Sequence, residues 1–299
     1  MTERTSADAR TTGTVLDRIV SDRRVRLVED RALRSEDDLR GRIASALPAL
    51  DFAARLRDGR AGAPASRLRL VAEIKRASPS KGEFDADLDA VAQARAYAEA
   101  GAAAVSILTE PDHFKGSIHD LAGVSAAFKG DGDRPALLRK DFIFDPYQVL
   151  EARAFGADAL LLIVMLLQPD ALRDLLALTR AHGMEALVEV HDEEEMRAAV
   201  DLGAAVIGVN NRDLRTFQED LGTFERVARL APAGVTLVAE SAIRTPEDAR
   251  RMADAGAHAL LVGEALVRSG TVVETARALM LAGTPEGAPR PGEVTVEKP

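Results

Sequence analysis

Apolar and polar positions along the chain repeat one pattern: a short apolar run, a polar or glycine-containing turn, an amphipathic stretch, then Gly and another apolar run. The runs fall at 70–75, 104–109, 136–140, 159–165, 186–190, 205–209, 236–240 and 259–262. Short continuous apolar runs bounded by turn residues read as strands buried on both faces, and the amphipathic stretches between them read as helices. Helix starts are marked twice by a capping residue, Pro at the first helical position and a polar residue three positions on: Asp145-Pro146 with Gln148, and Thr245-Pro246 with Asp248. Thr271 with Glu274 predicts a further capping box. Gly101, Gly156, Gly203 and Gly256 sit where a helix end wants a left-handed residue, and each is followed by Ala.

Eight β-α units predict a parallel sheet with its helices outside, and eight is the number that closes. An open doubly wound sheet calls for a Gly-rich phosphate turn after its first strand, whereas this chain has Arg76-Ala77-Ser78-Pro79 there. The predicted class is therefore α/β, a (β/α)8 TIM barrel with an N-terminal helical extension. Residues 1–13 are polar and Thr-rich and read as a disordered tail. Leu16, Ile19, Val20, Val25, Leu27 and Val28 then predict a helix with Arg23-Arg24 on its solvated side, and a second helical stretch runs from about Leu39 to Leu56. One domain is expected over 14–282, including helices in 14–60, and the Pro- and Gly-rich stretch 283–299 reads as a second tail.

Composition narrows the function classes. The 299 residues suit a single barrel, and 46% apolar with 29% charged residues describes a globular chain. A net charge of -9 argues against nucleic acid or an anionic membrane as the main partner, because both need a basic footprint. With no Cys there is no disulfide, thiolate nucleophile or Cys-ligated zinc. The N-terminal residues lack an apolar signal core and the longest apolar run, 159–167, is too short for a bilayer, so a cytoplasmic location is the default. His113, His119, His182, His191 and His258 show no ligand spacing, and no metal site is expected.

A barrel of this kind carries its site at the C-terminal ends of the strands. The first strand leads into Glu73 and Lys75, two residues apart and so on one face. The third ends Leu138-Arg139-Lys140-Asp141-Phe142, the fifth contains Glu189 and ends at His191, the sixth ends Val209-Asn210-Asn211-Arg212, and the seventh ends Ala239-Glu240-Ser241. Singly, each polar group reads better as a satisfied core residue, and His191 reads as structural. Three Glu and two Lys converging on one mouth are not explained by packing, since each buried charge must be matched. Burial and neighbours are expected to bring such Lys and Glu groups toward neutral pKa values, fitting them for acid/base work. The last two strand ends, with Ser241 and Gly263, fit a phosphate site, so a small phosphorylated substrate is expected.

Glu73-Ile74-Lys75-Arg76-Ala77-Ser78-Pro79-Ser80-Lys81-Gly82 resembles the signature of the indole-3-glycerol phosphate synthases of tryptophan biosynthesis. Leu138 to Phe142, Asp145 to Gln148, Gly156 to Ala159, Gly208 to Leu214 and Ala239 to Ser241 look like the family's other blocks, in order, within a match from about Val15 to Leu281. The resemblance implies cyclisation of 1-(2-carboxyphenylamino)-1-deoxyribulose 5-phosphate with loss of carbon dioxide and water, without a cofactor. It implies Lys140 as general acid on the sugar carbonyl and Glu189 as acid/base for dehydration. Lys75 would meet the substrate's anionic groups, with Glu73 and Asn210 orienting its hydroxyl or amine side. Arg212 and Ser78 would lie near the carboxylate, Phe114 and Phe142 near the aromatic ring, and Glu240 would complete the polar wall. Ser241, Gly263 and Glu264 would surround the phosphate. Two residues depart from the family pattern: Ala242 stands where Gly is usual, and His113 where an aromatic residue is usual. Both bear on affinity. The competing readings are an isomerase of the same pathway, which ordinarily uses a Cys, a Schiff-base aldolase, and a catalytically silent barrel. A monomer or weak homodimer is expected.

Overall fold

The structure is a computed structural model that describes residues 9–284 except 62, 64, 65, 67, 80, 269 and 270. Eight parallel strands close into a barrel: β1 Arg69–Ile74, β2 Ala104–Leu108, β3 Ala136–Lys140, β4 Ala159–Ile163, β5 Glu185–Val190, β6 Val206–Asn210, β7 Thr236–Glu240 and β8 Ala259–Val262. Each pairs with its sequence neighbours, and β8 returns to β1 with Leu70 opposite Leu260. The strands are buried almost throughout, as expected where helices cover one face and a packed interior fills the other. Strand bounds match the apolar runs to within one or two residues. The longest run ends early as a strand, because Val164–Leu166 turns into a short 3-10 helix.

The capping signals act as their chemistry requires. Asp145 and Thr245 each form a reciprocal capping box with Gln148 and Asp248. Gly101, Gly156, Gly203 and Gly256 all adopt positive φ at helix ends. Thr271 differs: the helix Val272–Leu281 begins after it, but its side chain makes no capping hydrogen bond.

Among the described residues three helices precede the barrel: α1 Val15–Leu33, α2 Glu36–Ser45 and α3 Phe52–Asp58. The expected single stretch from Leu39 to Leu56 is thus two helices, separated by a Pro48-containing segment and restarted by the Asp51 side chain on Ala54 N–H. In α1 the buried residues are Leu16, Ile19, Val20, Arg23 and Leu27, one stripe at 3.6-residue spacing. Arg23 falls inside that stripe and is 3% exposed, whereas Val25 and Val28 fall outside it and are 62% and 71% exposed. The expectation of a solvated Arg23 is therefore overturned by helical phase. Its guanidinium is matched by Asp141 at 3.1 Å and Asp30 at 3.1 Å.

Residues 9–13 of the expected N-terminal tail are held in place. Ala9 bridges to Leu167, Arg10 N–H donates to Leu166 O at 2.7 Å, and Thr12 and Gly13 N–H groups donate to Asp17. Residues 1–8 and 285–299, the rest of the two tails, lie outside the described residues. Among the described residues no helix is long and apolar enough to cross a membrane.

Candidate active site

One cavity opens at the C-terminal end of the barrel, and all thirteen residues singled out in the sequence line it. Its floor is apolar, with Leu108, Leu161, Ile163 and Leu261 from three different strands. Above that floor stands the charged layer. Lys75 Nζ lies 2.6 Å from Glu73 Oε1 and 5.7 Å from the centre of the Phe84 ring. Burial alone raises the Glu73 pKa, but Lys75 and then Lys140 hold it below the ordinary value.

Lys140 at the end of β3 is the centre of the layer. Its Nζ lies 3.2 Å from Glu189 Oε2 on β5 and 3.8 Å from Glu240 Oε2 on β7. Asn210 on β6 donates to the other oxygen of Glu189 at 3.1 Å, and its own oxygen accepts the Arg212 N–H at 3.0 Å. The pKa values of Lys140 and Glu189 do not move toward neutrality as expected. Burial pushes each that way, but their attraction, with Glu240 and Glu73 also around the lysine, leaves Lys140 raised and Glu189 lowered. Glu240 takes the opposite course. Burial and the neighbouring Glu189 push it up to about 8, and its Oε1 has no hydrogen-bond partner among the described residues. Two carboxyls side by side are thereby split, one ionised and one proton-bearing near neutral pH.

His191 is closer to this chemistry than its sequence context indicated. Its Nε2 lies 3.3 Å from Glu189 Oε1, and its Nδ1 3.1 Å from Glu195 Oε2. Burial disfavours its charged form, yet Glu189 and Glu195 raise its pKa to about 10, so the ring is an imidazolium between two carboxylates.

The walls are set by loops with their own internal logic. Glu110, fully buried, accepts the N–H groups of Asp112, His113 and Phe114 at 2.7–2.9 Å, which fixes the turn after β2 and places Phe114. The Phe114 and Phe142 rings lie 5.9 Å apart, tilted, as one aromatic wall. His113 points elsewhere, to Asp22 of α1 at 2.8 Å. Helix α1 adds Val15, Leu16 and Ile19 to the lining, a contribution that the sequence reading missed. Behind the wall, Asp141 binds Arg23 and Arg139 and accepts the Thr109 hydroxyl at 2.7 Å, so its pKa falls to about 2 despite burial. This network joins α1 to the residue next to Lys140.

At the opposite end, Ser241 and Ala242 both adopt φ of 63°. Ala242 therefore occupies the conformation that favours Gly. Ser78, Gly263 and Glu264 complete this part of the lining, with Lys81 Nζ 3.6 Å from Glu264. Two glycines make room for the carboxylates. A Cβ on Gly208 would stand 1.8 Å from Glu240 Oε1, and one on Gly263 2.6 Å from Glu73 Oε1. Arg212 is held by Glu219, which also lines the cavity and had no signal in the sequence. Among the described residues no group of three or more His, Asp or Glu is arranged to hold a metal ion.

Comparison with known proteins agrees with this layout. A solved structure of 3-hexulose-6-phosphate synthase from Salmonella typhimurium superposes with a TM-score of 0.56 at 12% identity, covering 72% of this chain and 98% of that one, a likeness of fold alone. The indole-3-glycerol phosphate synthase of Roseiflexus sp. (strain RS-1) is 47% identical over 269 residues, 89% of this chain and 98% of that protein. That of Parafrankia sp. (strain EAN1pec) is 51% identical over 228 residues, 76% of this chain and 83% of that protein. The family model for indole-3-glycerol phosphate synthase matches residues 16–279. The match begins inside α1 and ends in the last helix, so the extension and the barrel are inherited together, and the chain belongs to the indole-3-glycerol phosphate synthase family.

Proposed function

We propose that this enzyme closes the indole ring of 1-(2-carboxyphenylamino)-1-deoxyribulose 5-phosphate with Lys140 as the general acid and Glu189 as the acid/base of the dehydration. The observation that carries the assignment is the Lys140 ammonium, buried in the mouth and ringed by Glu189, Glu240 and Glu73. A lysine so held is charged, and it lines the cavity where the carbonyl would lie. It donates to the sugar carbonyl oxygen as the aromatic carbon bearing the carboxylate attacks the carbonyl carbon. Carbon dioxide then leaves, and its bonding pair restores the aromatic ring. The new hydroxyl takes a proton and departs as water, and loss of a proton from the adjacent methylene carbon completes the indole. Glu189, ionised in the free site, is set to take that proton, with proton-bearing Glu240 beside it. Starting from a carboxylate, the sequence consumes one proton overall.

The remaining groups orient the chain for closure. Phe114 and Phe142 offer a ring-sized wall, and Arg212 with Ser78 the carboxylate end. Lys75 meets the substrate's negative charge, while Glu73 and Asn210 direct its hydroxyl or amine side. Ser241, Gly263 and Glu264 frame the phosphate, the first two through backbone groups. Anchors at both ends bring the two reacting carbons together, which is where most of the entropy of cyclisation is met. We propose also that the enzyme is cytoplasmic and acts as a monomer or weak homodimer.

The chain has no Trp, so formation of indole is read directly as fluorescence against a dark protein. Fluorescence should rise without added metal or cofactor. Lys140→Met and Glu189→Gln should each lower kcat about 10²-fold or more with the fold retained. Near-normal turnover by the Lys140 variant would remove the general-acid assignment, and a dark wild-type reaction would remove the function.

A further inference from the structure

The loop after β6 carries a carboxylate that no step above uses. Arg212 and Glu219 face each other as an antiparallel bridge, and the loop is pinned by Asp220 N–H on Asn211 O at 2.9 Å and Asp213 N–H on Gln218 O at 2.9 Å. Cross-strand partners point to the same side, so both side chains turn into the cavity. Glu219 Oε1 accepts from Arg212 Nε at 3.1 Å and Nη2 at 2.5 Å. Its other oxygen, Oε2, accepts from Arg244 Nη2. The side chains of Arg212 and Glu219 are only 19% and 15% exposed, whereas Arg244 is 53% exposed.

We propose that Glu219 is an internal carboxylate standing in the substrate's carboxylate subsite, and that it sets affinity for the benzoate end by competing for Arg212. The inference rests on the reading of Arg212 given above. One guanidinium edge is already satisfied, and its charge already balanced, before any ligand arrives. A ligand carboxylate must displace Glu219 from that edge or bind beside a like charge. Arg244 makes displacement feasible, because Glu219 keeps a counter-ion after it yields Arg212, and no carboxylate is stranded. The two arginines and one glutamate thus act as an exchange site that selects for carboxylate-bearing ligands strong enough to win the edge.

The test compares two inhibitors on wild type and Glu219→Gln: the substrate with its ketone reduced to an alcohol, and the same compound lacking the ring carboxylate. Glu219→Gln should tighten binding of the carboxylate compound about two- to fivefold, the range of a partly exposed ion pair, and leave the other unchanged. The effect on turnover should fall on KM and not on kcat. Arg244→Gln, which leaves Glu219 with Arg212 as its one partner, should weaken the carboxylate compound and spare the other. Equal effects on both compounds, or weaker binding of the carboxylate compound to Glu219→Gln, would overturn the competition. With normal wild-type turnover, such a result defeats the role of Glu219 alone. Failure of wild type to turn over the ketone or bind either inhibitor defeats the underlying function as well.

Discussion

Replacing Glu240 with Gln should stabilise the protein more at high pH than at low pH while it lowers activity. The Glu240 carboxyl is 2% exposed, has an oxygen unpartnered among the described residues and is pushed from 4.5 up to about 8 by burial and Glu189. Between those two pH values the folded state keeps a proton that the unfolded chain has released. The unfolded state binds fewer protons there, so this group makes stability fall as pH rises, by at most about 1.4 kcal/mol per pH unit. Summed over the window the upper bound is about 4–5 kcal/mol, and coupling to Glu189 reduces what is realised. Gln matches the shape of a protonated carboxyl and does not titrate. Urea unfolding midpoints of wild type and Glu240→Gln, followed by circular dichroism from pH 5 to 8.5, should therefore nearly coincide at the acid end and diverge in favour of Gln as pH rises. A stability difference independent of pH, or one that moves toward wild type with rising pH, would refute the reasoning. The accompanying loss of turnover is the ordinary exchange of stability for function at a site that buries charge.

Two further outcomes follow from strain and burial elsewhere. Arg23→Met should cost about 3 kcal/mol by denaturant unfolding, because Asp141 loses one of two buried cationic partners; adding Asp141→Asn should cost less than the sum of the two single changes. Since the Asp141 pKa is depressed to about 2, the stability it contributes is present above pH 4 and lost as pH falls toward 2, and the Arg23 variant should show less of that acid loss. Ala242→Gly should raise stability by about 0.5–1 kcal/mol, the left-handed penalty of Ala less the added freedom of Gly, seen as a thermal midpoint higher by about 1–3 °C. A lower midpoint would show that the Ala methyl contributes packing that outweighs its backbone strain.

The barrel was legible because strand and helix positions obey short periodicities that local composition writes out directly. The charged layer was legible for a related reason: a charged residue at the end of an otherwise apolar strand, such as Lys140 or Glu240, contradicts its surroundings. Arg23 illustrates what was not legible. Its charge argued for solvent, and only the phase of the α1 stripe, with Val25 and Val28 left outside, placed it against Asp141. Glu219 lay in a polar loop where a further acid is unremarkable, and a cross-strand bridge brought it to Arg212. The opposite pKa shifts of Glu189 and Glu240 depend on which partners each carboxyl meets in space, Lys140, His191 and Asn210 for the first and burial beside Glu189 for the second, which no linear pattern encodes. Ala242 was noticed by its departure from the family pattern, and its φ explains why Gly suits that place.

Gly208 and Gly263 have no side chain to offer a ligand or a proton, yet each keeps empty the volume that a carboxylate of the charged layer occupies. In a map of mutational tolerance they would stand out as intolerant positions without side-chain chemistry of their own. Any lineage that changed the direction of Glu240 or Glu73 would first have to fill or vacate those hollows. The vacant β-carbons therefore act as a historical constraint, restricting which way the polar layer can be rebuilt when such a barrel acquires a new substrate.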